Sequence, residues 1–368
     1  MDKNKNIKIL VVVGSFKIGG AEKMAIVIGE ELSKRGFFVH YAIQKPIFQI
    51  PHNIENKRIH VLNKKKESSK YYHHLNNIIQ IKKLAKSYDP DVVIGLTYFS
   101  SFLSCFTFCK NIIGTFDVNP YSLGKKRHRI ADFVCNWSNV KRVVGPSIGT
   151  VNELKKARPQ FDNKFITIYN SIDFNRVEEL SKSEIKESYL YKKPFISAMG
   201  RLSNQKNFTL LIRSYATSDL KEHFNLAIIG DGPQKSELLE LIKKLGLEDK
   251  IFLLGFKSNP YPYIKQSEFF INTSNYESFC VVILEALALG KMVVATDCPS
   301  GPGELIQDGL NGYLTEVDNI SSLVNKLDFL SKNKKTIQKK SLIAKESVNK
   351  FKISSIGNEW ENLIGEIL

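Results

Sequence analysis

Cysteine is scarce in this 368-residue chain: there are five (Cys105, Cys109, Cys135, Cys280 and Cys298), an odd number with no CxxC pair. That argues against a disulfide framework or a structural zinc site and fits a reducing cytoplasm. Long apolar runs are also lacking. Nothing approaches the ~20 residues needed to span a bilayer, and the best candidates, Ile9–Val13 and Phe102–Phe108, are strand-sized. The Lys- and Asn-rich start has no apolar h-region and no small-residue cleavage site, so no export signal is expected. Twelve prolines and 22 glycines are too few for a collagenous or low-complexity chain. No repeat of about 20–50 residues recurs, which excludes a solenoid.

Charge of one sign is plentiful. The formal net charge is +16, and it is unevenly placed: residues 1–180 hold 29 Lys and Arg against 15 Asp and Glu, a net of +14, whereas residues 181–368 hold 24 against 22. A one-sided basic surface implies an anionic partner, whether nucleic acid, an anionic membrane or a phosphorylated substrate. The local clusters are Lys64-Lys65-Lys66, Lys82-Lys83-Lys86 and Lys125-Lys126-Arg127-His128-Arg129. A solvated surface explains any single cluster equally well; the imbalance between the halves is harder to explain that way.

The length suggests two domains at roughly 100–200 residues each, and the pattern agrees. In the first half, Ile7–Val13 reads as a buried strand and Ala21–Arg35 as a helix closed by Gly36. Phe37–Ile43, Val92–Leu96, Ile112–Phe116, Arg142–Val144 and Phe165–Tyr169 follow as strands, and Ser147 as a helix N-cap. The second half restarts with strands Phe195–Met199, Asn225–Ile229, Ile251–Leu254, Phe269–Asn272, Met292–Thr296 and Gly312–Leu314. Helices at Phe208–Tyr215, Gln234–Leu245, Val281–Leu289 and Ile320–Leu330 separate them. Apolar strands alternating with amphipathic helices predict two doubly wound α/β domains, with the polar Glu178–Lys193 as their junction. Ligand is expected outside the carboxyl ends of the strands, in a cleft between the domains.

The loops after those strands carry the chemistry. Gly14 to Glu22 contains Gly19-Gly20 at a helix start, where backbone N–H groups suit a phosphate; a tight turn explains it as well. It is neither GxGxxG nor a Walker A loop. Gly200-Arg201 and Lys206 place a planar fork and a point charge on one loop, suited to a diphosphate, against the plainer reading of a surface salt-bridging pair. Gly230-Asp231-Gly232-Pro233 again permits close backbone approach. In Ser274–Ala286, Glu277 and Glu285 are eight residues apart. With Glu277 at the helix start, a rise of ~1.5 Å per residue separates them by about 12 Å, so they suit two parts of one elongated ligand. Glu285 lies in an apolar helix and needs a polar partner if buried; a ribose diol would serve. By itself this spacing is common in a chain with this many glutamates.

Together these residues resemble the family-4 glycosyltransferases. The carrying motifs are Gly19-Gly20-Ala21-Glu22, Asn170-Ser171-Ile172-Asp173, Gly200-Arg201 with Lys206, Gly230-Asp231-Gly232-Pro233, the pair Glu277/Glu285, and Asp308-Gly309-x-Asn311-Gly312. They come in family order from about residue 7 to 315 and so cover nearly the whole chain. The resemblance implies the GT-B fold, two Rossmann-like domains facing each other across a cleft. Residues 1–177 would bind acceptor and residues 178–353 the nucleotide sugar, with helix 354–368 returning to the first domain. It implies that Arg201 and Lys206 hold the donor diphosphate, that Gly19 and Gly20 reach it through backbone N–H groups, and that Gly230 lines the site. Glu285 would bind the ribose, and Glu277 the donor sugar together with Ser278, Phe279 and Cys280. It further implies a retaining front-face transfer with no cofactor and no metal ion, in keeping with the lack of an Asp-x-Asp after a suitable strand. The domains are expected to close on the donor.

Two positions depart from the family pattern. Glycine often follows the first glutamate, where this chain has Ser278-Phe279-Cys280, and that could alter how the sugar is seated. Many members carry a histidine where Ile113–Pro120 has Asp117, our candidate for an acceptor- or sugar-contacting group; a helix or turn cap is the competing reading. Thr296 to Glu304 looks like the version in bacterial transferases using UDP-galactose- or UDP-N-acetylhexosamine-type donors. The expected partners are therefore a UDP-sugar, a saccharide acceptor on a polyprenyl diphosphate, and an anionic membrane surface, the inner face of the plasma membrane, where the chain would sit peripherally. A nucleic-acid binder is disfavoured by the lack of zinc-knuckle, RNP or recognition-helix signatures. A non-catalytic nucleotide-sugar-binding subunit is the competing class, which Ser278 leaves open, and a GT-B 2-epimerase would need other carboxylates and a histidine.

Overall fold

The computed structural model describes residues 6–17, 19–63, 70–117 and 124–368, with the backbone alone at 70–72 and 191. Lys64-Lys65-Lys66, Ile18 and Val118-Asn119-Pro120 lie outside the described residues. The chain divides into two units. One runs to Ser171 and takes back Ile353–Leu368; the other is Ile172–Lys352.

The first unit contains β1 (Lys8–Val13), α1 (Gly20–Lys34), β2 (Phe38–Ile43), β3 (Ile59–Val61), α2 (Lys70–Tyr88), β4 (Val92–Gly95) and α3 (Tyr98–Cys105). It continues with β5 (Ile112–Thr115), α4 (Lys125–Asn136), β6 (Val140–Gly145), α5 (Ile148–Ala157) and β7 (Phe165–Thr167). Its seven strands lie in the order β3-β2-β1-β4-β5-β6-β7, and every pairing is parallel. β1 shows why an apolar run becomes a central strand. Ile9, Val11 and Val13 enter the core on one face, and Leu10 and Val12 the core on the other. Period-two alternation thus buries both faces. Ser147 caps α5 as expected, accepting from Thr150 N.

The second unit holds α6 (Phe174–Leu180), β8 (Phe195–Met199), α7 (Phe208–Thr217), β9 (Asn225–Ile229), α8 (Lys235–Lys244), β10 (Ile251–Leu253) and α9 (Tyr261–Gln266). After these come β11 (Phe270–Asn272), α10 (Val281–Ala288), β12 (Val293–Thr296), α11 (Pro302–Leu305), β13 (Gly312–Thr315), α12 (Ile320–Lys332) and α13 (Lys334–Ser347). The strand order is β10-β9-β8-β11-β12-β13, again all parallel. The order reverses between β8 and β11, so that pair marks the sheet's topological switch point.

The last helix, α14 (Ile353–Ile367), packs on α1 of the first unit. Ile356, Trp360, Leu363 and Ile364 recur at helical spacing and complete the first core. Arg35 anchors this helix through Glu361, Asn358 and the Ser354 carbonyl.

One expectation is corrected. Glu178–Lys193 is not the junction, because α6 packs on α9 and α10 and so belongs to the second unit. The strand-sized run Phe102–Phe108 forms the end of α3 and the turn after it, with the Phe102 and Phe106 rings edge-on at 5.1 Å. β3 was unforeseen, three residues long and only half-buried. No helix among the described residues is long and apolar enough to cross a membrane.

Candidate active site

Arg201, Lys206 and Glu277 of the second unit sit on loops that leave neighbouring strands at their carboxyl ends. The β8–α7 loop carries Arg201 and Lys206, and the β11–α10 loop carries Glu277, so the two face each other over the switch point. Lys206 Nζ lies 2.5 Å from Glu277 Oε1, and Ser274 Oγ donates to the same oxygen at 2.6 Å. Both charged side chains are largely buried, 14% and 8% exposed. Burial works against the Lys206 ammonium, but the Glu277 carboxylate outweighs it and holds its pKa above the ordinary lysine value. Arg201, in contrast, is exposed, and no ion pair engages it among the described residues.

Polar side chains hold the two loops in register. Thr273 Oγ1 donates to the Lys206 and Asn207 carbonyls at 3.0 and 3.1 Å. Asn207, at φ 45°, caps α7 through Leu210 N and donates to Asn275 and Asp318. Asn275 in turn bonds the Gln205 and Asn204 carbonyls. Gly200 makes room for the Lys206 stem: a Cβ there would stand 3.1 Å from Lys206 Cγ.

Several sequence expectations change at this level. Glu277 is not at a helix start; α10 begins at Val281, after Cys280 at φ 68°. The 12 Å helical separation therefore does not apply. Phe279 and Cys280 do not offer side chains to a ligand. Phe279 is fully buried with its ring edge-on to Phe351 at 5.5 Å, and Cys280 is buried as well. Burial and Glu277 raise the Cys280 thiol well above its usual range, and burial pushes Cys298 up to about 12, so neither is a nucleophile at neutral pH. Gly230, at φ 146°, serves a protein contact: a Cβ would strike the Gly200 carbonyl at 1.9 Å. Glu285 is buried, and the Tyr261 hydroxyl donates to its Oε1 at 2.9 Å.

In the first unit, Gly19 is the uncapped N-cap of α1, in extended backbone, and the space beside Gly20 is open. The Glu22 carboxylate folds back over Gly19, so close that a Cβ would meet it at 2.4 Å. Asp117 follows β5, and its Oδ1 is buried with no hydrogen-bond partner among the described residues. Burial, with a contribution from Glu22, raises its pKa to about 6 against the opposing pull of its own backbone N–H and Arg127. The helix-cap reading of Asp117 fails for α4, which starts at Lys125 after Gly124.

The structure thus brings Lys206 together with Glu277, and the charge of Glu22 bears on Asp117. Sequence reasoning missed Ser274, Asn207, Asn275, Tyr261 and the Glu22–Asp117 coupling. Ser274 was readable as a polar residue three before Glu277; Tyr261, 24 residues from its partner, left no local signal. It also missed Thr97 at φ 102°, a strained conformation for a β-branched residue. Its N–H donates to Thr115 Oγ1, and its side chain caps α3.

Two doubly wound parallel sheets, each with polar loops at its strand ends, define the GT-B class of glycosyltransferase fold. HepE of Anabaena, solved with UDP and glucose, superposes with a TM-score of 0.81 at 22% identity, covering 98% of this chain and all of that one. Residues 18–176 match the Glycosyltransferase Family 4 domain and residues 181–347 the Glycosyl transferases group 1 domain. The chain belongs to the family-4 glycosyltransferases. A Campylobacter jejuni relative is 40% identical over 190 residues, a match spanning 51% of this chain and 50% of that protein. It is named N-acetylgalactosamine-N,N'-diacetylbacillosaminyl-diphospho-undecaprenol 4-alpha-N-acetylgalactosaminyltransferase. The Bacillus anthracis N-acetyl-alpha-D-glucosaminyl L-malate synthase is 23% identical over 367 residues and 95% of both chains.

Proposed function

We propose that this chain moves a hexose or N-acetylhexosamine from a UDP-sugar to a saccharide acceptor carried on a polyprenyl diphosphate, with retention of anomeric configuration, in bacterial surface-glycan synthesis. The observation that carries the proposal is the buried Lys206–Glu277 pair over the switch point of the second sheet. A cation held charged at that place offsets the negative charge that grows on a leaving diphosphate. Exposed Arg201 adds a planar fork from the same loop, so two cations supply the role of a divalent ion and no metal is needed. Glu277, fixed by Lys206 and Ser274, faces the sugar and stabilises oxocarbenium character. Glu285 and Tyr261 take the ribose hydroxyls. Because Phe279 and Cys280 are buried, the segment Ser278–Cys280 contacts the donor through its backbone. In the first unit, Gly20 leaves its backbone open to phosphate, and Asp117 with Glu22 meets a sugar hydroxyl. The UDP in the HepE structure and the undecaprenol diphosphate in the Campylobacter relative's name support the donor and acceptor classes.

Calorimetric titration with UDP, GDP and ADP tests this reading on the wild type and on Arg201→Ala. Selective UDP binding, lost in the variant and indifferent to EDTA, is expected. No nucleotide binding in either protein overturns it. UDP binding without sugar transfer to any lipid-linked acceptor favours the non-catalytic subunit instead.

A further inference from the structure

Two histidines meet at the edge of the first sheet. In β2, Val39, Tyr41 and Ile43 enter the core on the α1 side, so His40 and Ala42 point to the other face. β3 pairs with β2 in parallel, His60 opposite Ala42, and alternation puts His60 on that same face. His40 Nδ1 then lies 2.9 Å from His60 Nε2, with the ring centroids 5.1 Å apart. Tyr88, at the end of α2, stacks on His40 at 4.2 Å and 16° from parallel, and its hydroxyl donates to the Phe38 carbonyl at 2.7 Å. One set of stacked rings therefore ties β2, β3 and α2 together.

An N···N contact of this length is a hydrogen bond only while one nitrogen carries a proton and the other a lone pair. Two imidazoliums would set N–H against N–H, and the contact fails. The surroundings oppose even the first charge. Lys57 and Arg58, in the turn Asn56–Arg58 that leads into β3, add positive charge, and both already pair with Glu55. From β1, Lys8 Nζ stands 6.0 Å from the Tyr88 ring and bonds the Tyr88 carbonyl, while Asp91 accepts from the Lys8 N–H. Burial raises the Tyr88 phenol to about 12, so it supplies no counter-charge. Burial, His60, Arg58 and Lys57 push His40 down to about 4, and burial lowers His60 as well. β3 offers little resistance of its own, being three half-buried residues at the sheet edge.

We propose that the His40–His60 pair is an acid-sensitive latch on the sheet edge: it holds β3 and the turn before it against β2 while the pair is neutral, and releases them when the pair takes up protons. The direction follows from linkage. A histidine whose pKa is lower in the folded chain contributes its full stability above the ordinary value of about 6.5 and loses it as pH falls from there towards the folded value. Opening β3 frees the rings to take protons, so the open form gains up to about tenfold per pH unit below 6.5 for each ring. β7, the strand at the opposite edge and also three residues long, carries no histidine and is the internal control.

Backbone hydrogen exchange on the full chain, read by NMR and corrected for the intrinsic pH dependence of exchange, tests the latch. The reporters are two edge amides, Leu62 N–H on the Ile43 carbonyl at 2.8 Å and Ile168 N–H on the Gly145 carbonyl at 3.2 Å. Opening at Leu62 should rise at least about tenfold between pH 7.5 and pH 5, since one ring alone gives up to roughly thirtyfold; opening at Ile168 should change less than about twofold. His40→Gln/His60→Gln keeps an amide on each strand and no titrating ring, and should hold Leu62 exchange flat over that range. Where that variant does not fold, the imidazole titrations of the wild type decide, because the latch requires both rings to take up protons below about 6.5. Rings titrating at or above that value, pH-independent protection at Leu62, equal loss at Leu62 and Ile168, or an unchanged rise in the double variant each overturns the proposal.

Discussion

The Lys206–Glu277 pair makes a quantitative demand on stability. Replacing Lys206 with Met keeps most of the stem volume but leaves the Glu277 carboxylate in its nearly buried setting, with the Ser274 hydroxyl as its remaining donor. Replacing Glu277 with Leu strands the ammonium instead. Removing one member of a buried pair costs about 3–5 kcal/mol, whereas replacing both with apolar groups is often near neutral. Each single variant should therefore lose about 3 kcal/mol, and Lys206→Met/Glu277→Leu less than either, with a coupling energy of about 3 kcal/mol or more. Urea unfolding with separate probes for the two units measures this, because a two-unit chain need not unfold in one step. The double variant should fold and yet fail to bind UDP. Single-variant losses below about 1 kcal/mol, the size expected of an exposed bridge, would refute the reasoning that the loops depend on this pair.

Two further predictions follow from local geometry. A carboxyl with a raised pKa binds its proton more tightly in the folded chain, so Asp117 contributes fully below its ordinary value of 3.8 and destabilises as pH rises through about 6. Asp117→Asn should raise stability near pH 8 by up to roughly 3 kcal/mol, with the advantage vanishing towards pH 4; a thermal shift independent of pH would contradict the burial of that carboxylate. Gly230→Ala forces a Cβ to 1.9 Å from the Gly200 carbonyl at φ 146° and should displace the β8–α7 loop. A loss of about 3 kcal/mol or more is expected, beside less than about 1 kcal/mol for Gly20→Ala, where the space is open. Equal Tm values for the two variants would sink that comparison.

Periodicity and the loops after strands are local properties, and the sequence alone determined them. The β1 run of Ile9–Val13, the Ser147 cap and the restart at Phe195 each depend on residues within one turn or strand of one another. So do the identities of Arg201, Lys206, Glu277 and Glu285, whose motif order places them in family 4. Tertiary structure decided what lies opposite. Only the parallel order β9-β8-β11 sets the loop of Lys206 against that of Glu277, 71 residues on, and so leaves one cation buried and Arg201 exposed. Tyr261 reaches Glu285 across two helices, and the charge of Glu22, in the first turn of α1, bears on Asp117. Composition cannot tell whether an aromatic is in the core. Phe279 is fully buried, whereas Phe108, in the turn after α3, is 53% exposed, a difference set by what each ring packs against once the chain has folded. Burial and charge pairing are long-range sums, and they take their values only when the sheets are assembled.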